Sequence, residues 1–259
     1  MTTALLTISA LYGLIMGSFL NVVAVRDGDR HSILVGRSQC PHCKHVLHWY
    51  ELIPLLSFVF QRARCRKCKK AISWRYPLVE LVTAALTAFL IWFGVVQNGS
   101  WILGVGLVLT FYIFQVVSMI DIDSMEIPLE YAVGAGVLGA IVNIWSQHLT
   151  VRDTLLGVVV GAGVIAFVLY GWKLAFKQDG MGVGDIWLAG ALGAAVGYPL
   201  ILITIGLASI VGAIFGSIAL LSKRASLNSA IPFGPYLCIG ALLALLWGQH
   251  ILQWYILYP

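Results

Sequence analysis

An all-α polytopic membrane protein of about eight transmembrane helices is the fold class this sequence predicts, and three observations predict it. Of 259 residues, 60% are hydrophobic and only 10% charged, against about 25% charged in soluble domains. Mean hydropathy is +0.92. Apolar runs long enough to cross roughly 30 Å of hydrocarbon recur along the chain, separated by glycine, proline and short polar clusters.

The first run spans about 4–25. No basic n-region precedes it, so it is expected to stay as a helix and not to be cleaved as a signal peptide. A polar stretch over 27–76 follows. Further helices are expected at about 77–97, 101–120, 130–147, 154–173, 184–197, 199–221 and 235–256. Breakers stand between them: Asn98-Gly99-Ser100, Pro128, Gly180 with Gly182 and Gly184, Gly197-Tyr198-Pro199, and Pro232 to Pro235. The expected organisation is a first transmembrane helix (1–26), a loop (27–76) and a transmembrane bundle (77–259).

The formal charge of +5 raises the question of nucleic acid, but its distribution excludes that reading. Eleven of the 16 Lys and Arg lie between Arg26 and Arg75. Basic short loops stay in the cytoplasm, so the cluster reports topology, with anionic lipid headgroups as local partners. With that loop inside, alternation of eight helices leaves only Arg152 outside and both termini facing out. Asp121, Asp123, Glu126, Glu130 and Asp185 then all lie at the cytoplasmic edge.

The loop carries Cys40-x-x-Cys43 and, after 21 intervening residues, Cys65-x-x-Cys68. Paired CxxC knuckles suit a tetrahedral four-thiolate zinc site, and a reducing cytoplasm disfavours a disulfide. Such a loop has few aliphatic residues, so zinc would supply its folding energy. The exception is WYELIPLLSFVF (Trp49–Phe60), apolar enough to lie on the membrane surface or the bundle. His42, His45 and His48 read as polar surface residues, and Cys238 as a packing residue.

The acids are the second constellation. Two carboxylates held together cannot both ionise easily, so one keeps a proton while the other acts as base. Such a pair can activate water against a peptide carbonyl with no metal. Asp185, in GMGVGD (Gly180–Asp185), is one candidate. Its partner is Asp121 or Asp123, which stand about 200° apart around a helix. Asp121, next to the apolar run, is the better shielded, with Asp123 the alternative. Gly182 and Gly184 remove side chains where the backbone kinks or a peptide approaches. An acid at a helix N-terminus also gains from the helix dipole without catalysis.

With both constellations in view, the sequence resembles the bacterial type IV prepilin peptidases, or prepilin leader peptidases/N-methyltransferases. The resemblance rests on GSFLNVVAVR (Gly17–Arg26), the paired CxxC loop, WYELIPLLS (Trp49–Ser57) and ISWRYPLVELVTA (Ile72–Ala84). It continues through IDID (Ile120–Asp123), GMGVGD and IPFGPYLCIG (Ile231–Gly240). It implies an intramembrane aspartic peptidase of the GxGD type in the bacterial inner membrane, acting from the cytoplasmic side. Its glycine-motif acid pairs with one about 64 positions earlier, which selects Asp121. The substrates implied are prepilins or pseudopilins, cut after the glycine ending a short basic leader. Methylation of the new N-terminal residue, usually phenylalanine, by S-adenosylmethionine is implied as a second activity, associated with the cysteine loop.

Three positions depart from the family pattern. Trp187 stands where Lys is usual, Pro128-Leu129-Glu130 where Pro-Asp is usual, and Ala63 where Gly is common, so a peptidase without methyltransferase activity is the alternative. Asn21 and Glu80, polar groups within apolar helices, are candidates for a methyl-donor or substrate site or for interhelical packing. A proton-coupled transporter would place charges near helix centres and repeat its halves. A thiol oxidoreductase would face its cysteines to the oxidising side. A pilus-assembly scaffold needs no paired acids. Oligomeric state has no signature in the sequence.

Overall fold

The computed structural model describes residues 2–27, 36–177, 181–222 and 231–257, the last three by backbone alone. Arg30, Gly180, Lys223 and Arg224 lie outside the described residues. Among the described residues the regular structure is helical, apart from two isolated β-bridges, Gln39–Val46 and Arg64–Ala71.

The chain forms two compact units, Met1–Val108 and Leu109–Pro259. The first contains α1 (Thr2–Val25), a 3-10 turn (Trp49–Glu51), the short α2 (Leu56–Phe60) and α3 (Arg75–Ile91). A π-helical turn, Trp92–Gln97, continues α3, and the first residues of α4 (Trp101–Ser124) complete the unit. Glycines let α1 lie directly on α3. A Cβ on Gly17 would sit 2.7 Å from Glu80 Cα, and one on Gly13 2.7 Å from Ala84 Cα. Small residues at such contacts are the membrane-protein way to bring backbones together without a hydrophobic driving force.

The second unit holds the rest of α4, then α5 (Leu129–Trp145), α6 (Val151–Phe176), α7 (Gly184–Val196), α8 (Leu200–Leu221) and α9 (Gly234–Leu257). Its centre is α7, buried continuously from Leu188 to Gly197. A helix apolar on every side belongs in a core. Glycine and alanine let α5 and α6 close on it: Gly136 meets Ala191, Gly139 meets Ala195 and Gly157 meets Gly193. Asn143 of α5 donates to the carbonyls of Ala195 at 2.7 Å and Ala194 at 3.3 Å.

Six helices are long and apolar enough to cross a membrane, so this is a multi-pass membrane protein. The other two apolar helices are shorter, Leu129–Trp145 and Gly184–Val196. Thirteen residues of α7 rise only about 20 Å. Enclosure among α5, α6 and α9 keeps the backbone groups at its ends from lipid, where unpaired polar groups are not tolerated. All eight expected apolar helices form. The main departure is α4, which runs on to Ser124 and carries Asp121 and Asp123 on its last turn.

Candidate active site and thiol cluster

Asp121 and Asp185 are both interior residues of the second unit, 4% and 5% exposed. Asp123, two positions on, faces outward, as the angular spacing of a helix requires. The two buried carboxylates stand near enough for the charge of Asp121 to act on Asp185.

Each takes one backbone N–H from a glycine. Gly234, at the start of α9, donates to Asp121 Oδ2 at 2.9 Å. Gly182 donates to Asp185 Oδ2 at 3.2 Å, while the Asp185 amide returns a bond to the Gly182 carbonyl. The second oxygen, Asp185 Oδ1, is buried with no hydrogen bond.

The flanking chain brings the acids together for steric reasons. The connector after α4 turns through Met125 at φ 57° and lays Ile127 against Gly184. A Cβ on Gly184 would stand 2.8 Å from Ile127 Cβ. A Cβ on Gly234 would stand 2.7 Å from Asp121 Oδ2 and 3.2 Å from Leu188 Cδ2, one turn beyond Asp185. The site is therefore built from α4, the first turn of α7 with the turn before it, and the start of α9. Gly234 and Ile127 were not singled out by sequence reasoning. The one available signal was a glycine between an aromatic residue and a proline at a helix start, in Pro232-Phe233-Gly234-Pro235.

Trp187 is 51% exposed. The departure from the usual Lys thus falls on the outer face of α7, where an indole suits a membrane interface, and away from the acid pair. Leu129 is likewise exposed.

The four cysteines gather in the first unit, each offering its sulfur to a common point. Cys40 and Cys68 sulfurs lie 3.8 Å apart, and Cys43 and Cys65 3.9 Å. That is far beyond a disulfide bond. It is the edge of a tetrahedron of about 3.8 Å that Zn–S bonds of about 2.3 Å generate. The cluster is compatible with zinc.

The two knuckles are near copies, 25 positions apart. Leu47 N–H donates to Ser38 O and Ile72 N–H to Ala63 O, both at 2.8 Å; Lys44 and Lys69 turn back at φ 56° and 60° to bond Cys40 O and Cys65 O. Burial pushes the Cys40 thiol up, but the N–H groups of Cys43 and His42 outweigh it and bring it to about 7. The N–H groups of Cys68 and Lys67 similarly lower Cys65, as loop amides aimed at sulfur favour the thiolate a metal needs. The His45 N–H lowers Cys43 too, but burial and the three neighbouring sulfurs outweigh it and push that thiol up to about 11. Ala63 sits at φ 55°, in the left-handed region where glycine carries no penalty. The knuckle nevertheless closes through its carbonyl.

Asn21 and Glu80 are buried in the same unit. Glu80 Oε2 accepts the N–H of Leu55 at 2.9 Å, pinning the loop at a residue with φ 58°. Asn21 Nδ2 donates within its own helix to Gly17 O at 3.3 Å. Glu80 also hydrogen-bonds the Ser18 side chain of α1, so it joins α1 and α3 as well as the loop.

The fold and site are those of a multi-pass helical membrane protein with two interior carboxylates from separate segments and a four-thiol loop. Comparison with known sequences narrows the class. Residues 11–93 match the bacterial peptidase A24 N-terminal domain, and residues 107–217 the type IV leader peptidase family. The chain is 37% identical to a prepilin leader peptidase/N-methyltransferase of Stutzerimonas stutzeri, over 94% of this chain and 91% of the relative. It is 35% identical to the one from Aeromonas salmonicida strain A449 (95% and 92%). The Pseudomonas aeruginosa relative of the same name is 36% identical (95% and 91%). This chain belongs to the type IV leader peptidase family. No solved structure matches it significantly.

Proposed function

We propose that this chain removes the short basic leader from type IV prepilins or type II secretion pseudopilins at the cytoplasmic face of the bacterial inner membrane, then methylates the new N-terminal residue. The observation that carries the first step is the pair of buried acids on separate segments, each held by one glycine amide.

Asp121 and Asp185 share one proton. The ionised member takes a proton from water as the oxygen attacks the scissile carbonyl. The protonated member donates to the carbonyl oxygen, and collapse of the tetrahedral intermediate delivers a proton to the leaving amine. No covalent intermediate forms. Asp185 Oδ1, which lacks a protein partner, is the oxygen suited to the attacking water. Gly182 keeps a side chain away from an approaching extended peptide beside Asp185, while Gly184 makes room for Ile127.

Basic residues concentrated in the Arg26–Arg75 stretch support a cytoplasmic loop with both termini periplasmic. In this organisation the 27–76 loop serves methyl transfer and the 77–259 bundle serves cleavage. Cys40, Cys43, Cys65 and Cys68 would hold Zn²⁺, which supplies folding energy to the loop. S-adenosylmethionine, when bound, supplies an electrophilic methyl group to an amine that gives up one proton. The peptidase-only alternative rested on Ala63, whose carbonyl makes the knuckle bond despite its side chain.

The test is to incubate purified protein and S-adenosylmethionine with a prepilin and read the product by mass spectrometry. A product without its leader and one methyl group heavier is expected. Intact prepilin would remove the peptidase reading. Cleaved but unmethylated product would leave cleavage as the sole activity.

A further inference from the structure

Three buried oxygen acceptors face one cavity in the unit Met1–Val108. Asn21, Glu51 and Glu80 all line a space of about 590 Å³, within the roughly 300–1,000 Å³ of small-molecule sites. Asn21 Oδ1 and Glu51 Oε1 are buried with no hydrogen-bond partner. Folded chains leave few such atoms unsatisfied. Two on one cavity wall, beside a buried carboxylate, mark a place where a ligand brings a donor or a positive charge.

The charge favours a cation there. Burial pushes the Glu51 carboxyl up, but the His48 N–H and the His45 ring outweigh it and hold it below the usual carboxylate range. Glu51 sets its Oε2 on His48 N at 3.0 Å and His45 Nε2 at 3.3 Å and leaves its Oε1 without a hydrogen bond. Elsewhere the wall differs in kind. Arg26 and Lys70 also line the cavity, Arg26 anchored on the carbonyls of Gly36 and Arg37 at 2.9 and 3.0 Å. Phe58 and Tyr76 add aromatic surface, Phe58 held edge-on by Trp74 at 4.9 Å. Acidic, basic and aromatic lining in one cavity suits a zwitterion that carries a cation, a carboxylate and a flat ring.

We infer that this cavity is the methyl-donor site, taking an adenosyl sulfonium with its positive centre toward Asn21, Glu51 and Glu80. The assignment rests on the methyltransferase reading above and gives it an address. Cys40 and Cys65 also line the cavity, so the thiol cluster forms part of its wall. Loss of metal would therefore distort the donor site directly.

The experiment compares S-adenosylmethionine with its uncharged thioether product, S-adenosylhomocysteine, by equilibrium dialysis of labelled ligand against the full-length, detergent-solubilised protein. Glu80→Gln keeps an oxygen for Leu55 N–H and a polar group beside Ser18 while removing the carboxylate. It is expected to weaken S-adenosylmethionine about tenfold, the equivalent of one modest charge interaction, and S-adenosylhomocysteine less than about threefold. Glu51→Gln should act in the same sense, and Asn21→Ala should weaken the sulfonium compound more than the thioether. Zinc content equal to wild type confirms that each variant keeps its loop.

Unchanged affinity in all three variants, or equal loss for both nucleosides, would overturn the assignment. If Glu80→Gln spares both nucleosides but weakens a cleaved pilin peptide with a free α-amine, the cation bound here is the acceptor, and the donor assignment fails. A wild type that yields no methylated pilin would instead sink the methyltransferase reading itself. Methylation with normal donor binding in the variants would sink the cavity alone.

Discussion

Replacing Gly234 by alanine tests how the Asp121 carboxylate is held. The new Cβ would fall 2.7 Å from Asp121 Oδ2 and 3.2 Å from Leu188 Cδ2, where comfortable contact begins near 3.5 Å or so. Either the carboxylate or the start of α9 must retreat by roughly 0.8 Å. That movement breaks or lengthens the 2.9 Å bond from Gly234 N–H. A hydrogen bond to a charged group contributes about 1.5–3 kcal/mol, and each 1.36 kcal/mol or so is tenfold in rate. The expected result is a fall in kcat of about 10- to 100-fold for prepilin cleavage, with KM within about twofold. Gly206→Ala is the matched control, since a Cβ there meets nothing within 4 Å; its kcat should equal wild type. A Gly234→Ala enzyme that cleaves at the wild-type kcat would refute the claim that this amide positions the acid.

Three further outcomes follow from the same geometry. Ala63→Gly relieves a left-handed backbone at φ 55° and should stabilise the loop by about 0.5–1 kcal/mol, read as a higher midpoint in thermal unfolding; an unchanged or lower midpoint contradicts the strain. Removing metal with a chelator, or substituting Cys65→Ser, should abolish bound zinc and expose the loop to protease, whereas full protection without metal would show that the knuckles fold on their own. Trp187→Lys, on the exposed face of α7, should leave cleavage within about twofold of wild type, as exposed substitutions do; a large loss would place that face in the site.

How far the sequence reveals these features depends on the range of the forces involved. Helices such as α1 and α8 were legible because burial in lipid demands a long apolar run, and that demand is local. The thiol cluster was legible because metal geometry confines its ligands to short knuckles. Asp121 was separable from Asp123 because angular spacing on a helix is also local. The end of α4 was misplaced by four residues, since charged side chains at a membrane border break a hydropathy pattern without breaking hydrogen bonds. The Gly234 amide, 113 positions from Asp121, could not be paired with it from spacing. That contact depends on how α9 packs, and glycine leaves no side-chain signature of it. Trp187 was puzzling in one dimension and becomes ordinary once its face of α7 is known.

Cleavage of a prepilin by wild type, Asp121→Asn, Asp185→Asn and Asp123→Asn tests the central claim most directly. The buried pair predicts that the first two variants lose at least about 100-fold in kcat, the low end for a general acid or base, while Asp123→Asn stays near wild type. Near-wild-type cleavage by either Asp121→Asn or Asp185→Asn, or loss confined to Asp123→Asn, would contradict it.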